Sequence, residues 1–328
     1  MRRGGEGGMV DFSTVKRGND RLGRLFGKEG GLGWAAMIRF SLFLAGCLTL
    51  PSFAEEIHSI WPGKAPGELT ENPGTALPVN PRDPSITRVE KVTKPTLTAY
   101  PAPSDKATGA AVVVLPGGGF GYVVPDLEGS EATKFLHEIG VSVFVLNYRT
   151  KTEATKNEPW KRPLQDSQRA VRYVRANAGK WGVDKGKVGI LAFSAGGQVG
   201  AIHLGAPDSE WKTTDKVDQE SSQLDFAMLI YPWKVLDGKT GKLMEPIKLG
   251  KEAPPTFIVH TSDDASTSLG AVEMYAQLKK SGVSSELHVY QNGGHGYGVR
   301  EKKGSAIGKW SAAAADWLVL RGIGKKGS

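Results

Sequence analysis

The stretch "LAFSAGGQVG", Leu191 to Gly200, starts apolar and ends small, with Ser194 at the change. The residues before it, "KVGI" at 187–190, read as a strand; those after the serine, "AGGQVGAIHLG" at 195–205, read as a helix. A serine at such a junction is commonly a plain helix N-cap. It is also the layout of a sharp strand–turn–helix corner that holds a hydroxyl exposed, provided the neighbours are small, as Ala192, Gly196 and Gly197 are. The N–H of Ala195, at the helix start, is then placed to donate to an oxyanion.

On both sides of this corner the pattern alternates. "TLTAY" (96–100), "AAVVVLP" (110–116), "VSVFVLNY" (141–148), "LDFAMLIYP" (224–232), "PTFIVHT" (255–261) and "SSELHVYQ" (284–291) read as strands. "SEATKFLHEIG" (130–140), "PLQDSQRAVRYVRANAG" (163–179), "SLGAVEMYAQLKKSG" (268–282) and "IGKWSAAAADWLVLRG" (307–322) read as helices between or after them. Continuous apolar strands alternating with amphipathic helices predict an α/β fold: a mostly parallel central sheet with helices on both faces. No repeat or long linker interrupts 96–323, so this is expected to be one catalytic-sized domain. Residues 55–95, rich in Pro, Gly and Asn, read as an extended lead-in with turns.

The first 54 residues read as targeting rather than fold. Arg39, an apolar run and "SFA" before Glu55 form a secretory signal layout with cleavage near Ala54. Met37 is an alternative start. "LAGC" ending at Cys47 is also compatible with a lipoprotein box, which would anchor the protein at Cys47. The apolar run is short for a membrane span. These residues hold eight Lys or Arg against four Asp or Glu, so half of the net charge of +8 lies there. No compact basic cluster with interleaved aromatics follows, and nucleic acid is not an expected partner. Cys47 is the only cysteine, which excludes an intrachain disulfide and a cysteine-based zinc site.

Ligands of open parallel sheets bind beyond the carboxyl ends of the strands, and four strand ends carry chemistry. "LPGGGFGY" (115–122) offers the N–H groups of Gly117, Gly118 and Gly119 to an anion; its spacing is not a dinucleotide fingerprint. Ser194 is the second. "VHTSDDASTS" (259–268) offers Asp263 and Asp264, and "YQNGGHGYG" (290–298) offers His295. Each alone has a bland explanation: a glycine turn, an N-cap, a second N-cap, a surface histidine. Together, Ser, then Asp, then His at successive strand ends is the triad order of an α/β-hydrolase. A serine hydroxyl needs a base that titrates near neutrality, and that base needs a carboxylate to set its tautomer. A glycine loop completing an oxyanion hole is worth about 3–4 kcal/mol per donor in the transition state. The other histidines, His58, His137, His203, His260 and His288, are read as structural.

Residues 57–322 resemble the small secreted α/β-hydrolases of the acetyl xylan esterase and feruloyl esterase (BD-FAE-like) type, near the hormone-sensitive-lipase branch. The likeness is carried by "WPGKAPG" (61–67), "KPTLTAYPAP" (94–103), "VVVLPGGGFGY" (112–122), "LEGSEATKFLHEIGVSVFVLNYR" (127–149), "RPLQDSQRAVRYVR" (162–175), "GILAFSAGGQVGA" (189–201), "FIVHTSDD" (257–264) and "NGGHGYG" (292–298). It implies Ser194 as nucleophile and His295 as base. It implies oxyanion donors at Gly118, Gly119 and Ala195. It implies Asp264, four residues on from His260, as the acid rather than Asp263, and no cofactor or metal. Three positions depart from the family: Ala192 for the first glycine of G-x-S-x-G, Pro116 where lipase relatives often have His, and Thr261 for a usual glycine.

The resemblance implies an exported esterase that deacetylates xylan or a related polysaccharide. Competing readings are a general short-chain carboxylesterase, a prolyl-oligopeptidase-like peptidase, and a non-catalytic carbohydrate-binding homologue, against which the intact Ser–Asp–His set argues. No large cap domain is expected, because "WKVLDGKTGKLMEPIKLGKEAP" (233–254) holds no amphipathic helix of useful length. Phe120, Tyr122, Trp233 and Tyr297, near strand ends, are candidate sugar-stacking residues. The sequence says nothing of oligomeric state.

Overall fold

In the computed structural model, the described residues are 55–81, 83–206 and 211–326. The expected signal peptide, Cys47 and Met37 lie outside them. Among the described residues eleven strands are formed: β1 (Glu56–Ser59), β2 (Thr75–Ala76), β3 (Val89–Glu90), β4 (Thr96–Tyr100), β5 (Ala111–Leu115), β6 (Tyr122–Val123), β7 (Ser142–Asn147), β8 (Val188–Phe193), β9 (Ala227–Ile230), β10 (Thr256–Thr261) and β11 (Ser285–Tyr290). The helices are α1 (Thr133–Glu138), α2 (Lys161–Ala176), α3 (Ala178–Trp181), α4 (Ser194–His203), α5 (Leu269–Lys280) and α6 (Trp310–Leu320). Eight strands make the main sheet in the order β1-β4-β7-β5-β8-β9-β10-β11. Only β4 runs against the others, through antiparallel pairing with β1 and β7.

The apolar runs of β5 and β8 are explained by burial on both faces. Val113, Leu115, Ile190 and Ala192 point into a core shared with α2, α4 and α5, through Leu164, Val171, Val199 and Met274. Their neighbours Val112, Val114, Leu191 and Phe193 point to the opposite face, against Leu136 of α1 and Trp310 and Leu318 of α6. Side chains alternate along a strand, so a strand covered on both sides has to be apolar at every position.

Part of the lead-in is built into this fold. β1 extends the main sheet as its edge, and β2, β3 and β6 form a separate three-stranded antiparallel sheet. Between them the chain is pinned to α2: Trp61 Nε1 donates to Asp166 Oδ1 (3.0 Å), and the buried Arg149 guanidinium donates both to Asp166 and to the Pro66 carbonyl (2.7 Å). No helix occurs between β9 and β10. Among the described residues, no helix is long and apolar enough to cross a membrane.

Candidate active site

The turn from β8 into α4 places Ser194 at φ 52°, left-handed for a residue with a Cβ. Such strain is held by its surroundings and concentrates where a side chain must be presented. The helix leaves this corner very close to the sheet. A Cβ on Gly200 would lie 2.9 Å from Ala192 Cβ and 2.8 Å from Leu229 Cδ2. Ala192 can therefore stand at the first glycine position of the elbow because Gly200, opposite, has no side chain.

Three strand ends converge on that serine. Ser194 Oγ lies 2.7 Å from His295 Nε2, and His295 Nδ1 lies 2.5 Å from Asp264 Oδ2. Asp264 is 6% exposed. Burial alone would push its carboxyl up, but the bonds from His295 and from the Ser266 N–H outweigh it and hold it at about 2. It is therefore an anion at neutral pH, and its partner Nδ1 carries the proton, leaving Nε2 to accept from the serine.

The adjacent Asp263 does something else. Its carboxylate accepts from the backbone N–H groups of Gly294 (2.8 Å) and Gly293 (3.1 Å), which also hold its pKa down. It fixes the loop that carries His295 without touching the ring. Buried His260 packs 3.9 Å from Asp264 Oδ2, and burial lowers its pKa.

The glycine loop after β5 borders the serine. Gly118 takes φ 128°, and a Cβ there would collide with the Tyr122 carbonyl at 2.1 Å, so only glycine fits. Gly118 and Gly119 line the cleft beside Ser194, and no described residue accepts from their N–H groups. The Ala195 N–H, in the first turn of α4, has no intrahelical acceptor. Gly117 differs from its neighbours: its N–H donates to Glu128 Oε2 (2.9 Å) and is not available to a ligand.

Glu128 and Tyr231 had no signal in the sequence. Glu128 is almost fully buried, and its second oxygen accepts from the Tyr231 hydroxyl (2.8 Å). Burial pushes its carboxyl up, partly offset by these two bonds and by nearby His295. The same hydroxyl accepts from the Gly298 N–H (2.9 Å), and the Tyr231 ring packs edge-on against His295, with centroids 4.9 Å apart. One carboxylate and one phenol thus tie together the glycine loop, the turn after β9 and the histidine loop. A lone Glu in "DLEGS" and a Tyr at a strand end show nothing of this in one dimension.

A cleft of about 600 Å³ opens over Ser194 and His295. Of the four candidate sugar-stacking residues, Trp233 and Tyr122 line it. The other two candidates do not: Phe120 is 1% exposed and Tyr297 is 3% exposed. Phe120 lies under Trp233 and Tyr297 against Tyr231, with centroids 6.3 and 4.3 Å apart, so both pack the loops and neither presents a face to solvent. Asn80, Ile86 and Arg88, from the lead-in, form a wall of the cleft that the sequence reading did not anticipate. A second cleft of about 480 Å³ lies across Trp233 and His295, bordered by Asp237 and Thr267. Among the described residues, no cluster of His, Cys, Asp and Glu is arranged to hold a metal.

Comparison with known proteins places this architecture. Residues 97–229 match the BD-FAE family model, a span that takes in the glycine loop and Ser194 and ends before Asp264 and His295. An acetylxylan esterase of Xylanibacter ruminicola is 25% identical over 59% of the chain, which spans 42% of that protein. Endo-1,4-beta-xylanase B of Butyrivibrio fibrisolvens is 29% identical over 62% of the chain, which spans 35% of it. The chain thus spans less than half the length of these two relatives. The crystal structure of an acetyl ester-xyloside bifunctional hydrolase from Caldicellulosiruptor lactoaceticus superimposes with a TM-score of 0.65 at 27% identity, over 82% of this chain and 97% of that one. The esterase Est2 of Thermogutta terrifontis shares the fold, with a TM-score of 0.60 at 22% identity over 76% of this chain and 93% of its own. With its sheet order, its strand–turn–helix corner and these likenesses, the chain has the α/β-hydrolase fold, and its residues 97–229 are similar to the BD-FAE family.

Proposed function

We propose that the protein is a serine esterase that removes acetyl groups from xylan or a related polysaccharide. The observation that carries this is the continuous Ser194–His295–Asp264 hydrogen-bonded chain at the floor of an open cleft. In this reading Ser194 Oγ attacks the ester carbonyl while His295 Nε2 takes its proton. The carbonyl oxygen becomes an oxyanion facing the N–H groups of Gly118, Gly119 and Ala195. Collapse breaks the bond to the sugar oxygen, which receives the proton from His295. Water, deprotonated by the same nitrogen, then attacks the acyl-serine; acetate leaves as Ser194 Oγ takes the proton back from His295. Asp264 stays ionised throughout and balances the imidazolium.

The substrate class is supported by the names of the similar proteins, an acetylxylan esterase and an acetyl ester-xyloside hydrolase. It also fits the cleft, over which no helix lies between β9 and β10 and which is edged by Tyr122 and Trp233, rings suited to a sugar face. The layout of residues 39–54 supports export with cleavage near Ala54. Labelling by a fluorophosphonate followed by peptide mapping tests the mechanism: a single adduct on Ser194 supports it, and no adduct, or one elsewhere, contradicts it.

A further inference from the structure

The wall of the cleft formed by the lead-in brings a cation to the candidate site. Arg88 is held from two sides by neutral groups. Its Nη2 donates to the Pro78 carbonyl (2.7 Å), and its guanidinium lies over the Tyr122 ring, 5.9 Å from the centroid. Its remaining donors are spent on no described residue, and no carboxylate among the described residues pairs with it. Other arginines of the chain are used up internally: Arg149 on Asp166, Arg169 on Asp215 and Asp218, Arg175 on Asp225, Arg300 on Glu131. Arg88 differs from these in lining the cleft.

Lys151 lines the same cleft and likewise has no ion pair with a described residue. The one carboxylate in the lining, Glu128, is almost fully buried, with both oxygens occupied by Gly117 and Tyr231. The charge the cleft shows to a ligand is therefore positive. A guanidinium fixed by neutral partners, with donors left over, suits a planar oxyanion, above all a carboxylate. On a polysaccharide, the group of that chemistry is a uronic acid.

We propose that Arg88 and Lys151 form an anion subsite, and that the preferred polymer carries uronic-acid carboxylates close to its acetyl esters. This rests on the serine-esterase reading above. The subsite selects the polymer and takes no part in bond breaking, so it acts on the ratio of kcat/KM between acidic and neutral polymers.

The experiment measures acetate release from acetylated glucuronoxylan and from the same polymer stripped of its uronic acids by a glucuronidase. The wild type, Arg88→Gln, Lys151→Gln and the double variant are compared. The wild-type ratio of acidic to neutral kcat/KM is expected to be about 5 or more at low salt, and to fall toward 1 at about 0.5 M NaCl, where charges are screened over a few ångströms. Each single variant lowers the ratio, and the double variant abolishes it. The salt series on the wild type needs no variant to fold. A wild-type ratio near 1, or a preference that survives salt or the double substitution, overturns the subsite. A raised rate on p-nitrophenyl hemisuccinate over p-nitrophenyl acetate, with a polymer ratio near 1, would place the recognised carboxylate on the acyl side and overturn the uronic-acid assignment. Failure of the wild type to hydrolyse either polymer or p-nitrophenyl acetate would instead overturn the esterase reading; a ratio near 1 is distinguishable from that, because it requires both polymers to be hydrolysed.

Discussion

The hydroxyl of Tyr231 donates to the buried carboxylate of Glu128 and accepts from the backbone N–H of Gly298, so a single oxygen joins two loops of the candidate site. Tyr231→Phe removes that oxygen and leaves a buried carboxylate oxygen and a buried N–H without a partner. Such a loss costs about 1–3 kcal/mol. The expected outcome is a lower midpoint of denaturation together with a kcat reduced about tenfold or more, because the loop that positions His295 loses an anchor. Urea melts and steady-state rates on p-nitrophenyl acetate check both. An unchanged melt would show that water replaces the phenol at no cost.

Asp263 and Asp264 are expected to separate in kinetics. Asp264→Asn reverses the donor and acceptor roles facing His295 Nδ1, an error of tautomer that lowers kcat on the order of 10⁴-fold in triads of this type. Asp263→Asn weakens the grip on Gly293 and Gly294 but leaves the imidazole paired. Its effect on kcat is expected to be about tenfold or less. If the two variants ranked the other way, the acid of the triad would be Asp263.

The same carboxylate predicts a pH dependence of stability. The folded Asp264 carboxyl is held at about 2, below its ordinary 3.8. Its contribution, about 2 kcal/mol, is thus fully present above the unfolded value and is lost as pH falls toward 2. The stability difference between wild type and Asp264→Asn should be constant from pH 7 to about 5 and shrink below 4. A difference that stays flat down to pH 2 would mean that the carboxylate is not stabilised by its bonds to His295 and Ser266.

Much of the sheet is legible in the sequence because burial on both faces leaves no choice of residue along β5, β8 and β10. The edge strand β1 is not, because "EIHS" at 56–59 is largely exposed and carries no pattern. The convergence of Ser194, Asp264 and His295 is legible for a topological reason: in a parallel sheet the carboxyl ends of the strands meet on one side, so residues far apart in sequence need only end a strand to become neighbours. Glu128, Tyr231, Arg88 and Lys151 lie on loops whose course depends on tertiary packing, and no local spacing marks them. The fate of Phe120 and Tyr297 has the same origin. A ring near a strand end can face the cleft or fill the loop beneath it, and only the path of the backbone decides.

Packing at the corner gives a structural test. Gly200→Ala puts a methyl within 2.9 Å of both Leu229 Cδ2 and Ala192 Cβ. Overpacking of this kind costs about 1–3 kcal/mol. Ala192→Gly in the same chain removes one of the two clashes, so the double variant should recover part of the loss, a coupling readable from a double-mutant cycle. Strict additivity would mean that the helix shifts as a whole and that Ala192 does not limit its approach.

The central claim is that Ser194 is the nucleophile of an acetyl-polysaccharide esterase. Its most direct test is acetate release from acetylated xylan by purified wild type and Ser194→Ala, with a denaturation curve for each. The wild type is expected to release acetate, and the variant to lose at least about a thousandfold in kcat while keeping its melt. Acetate release by the variant at the wild-type rate, or none by a folded wild type, would contradict the account.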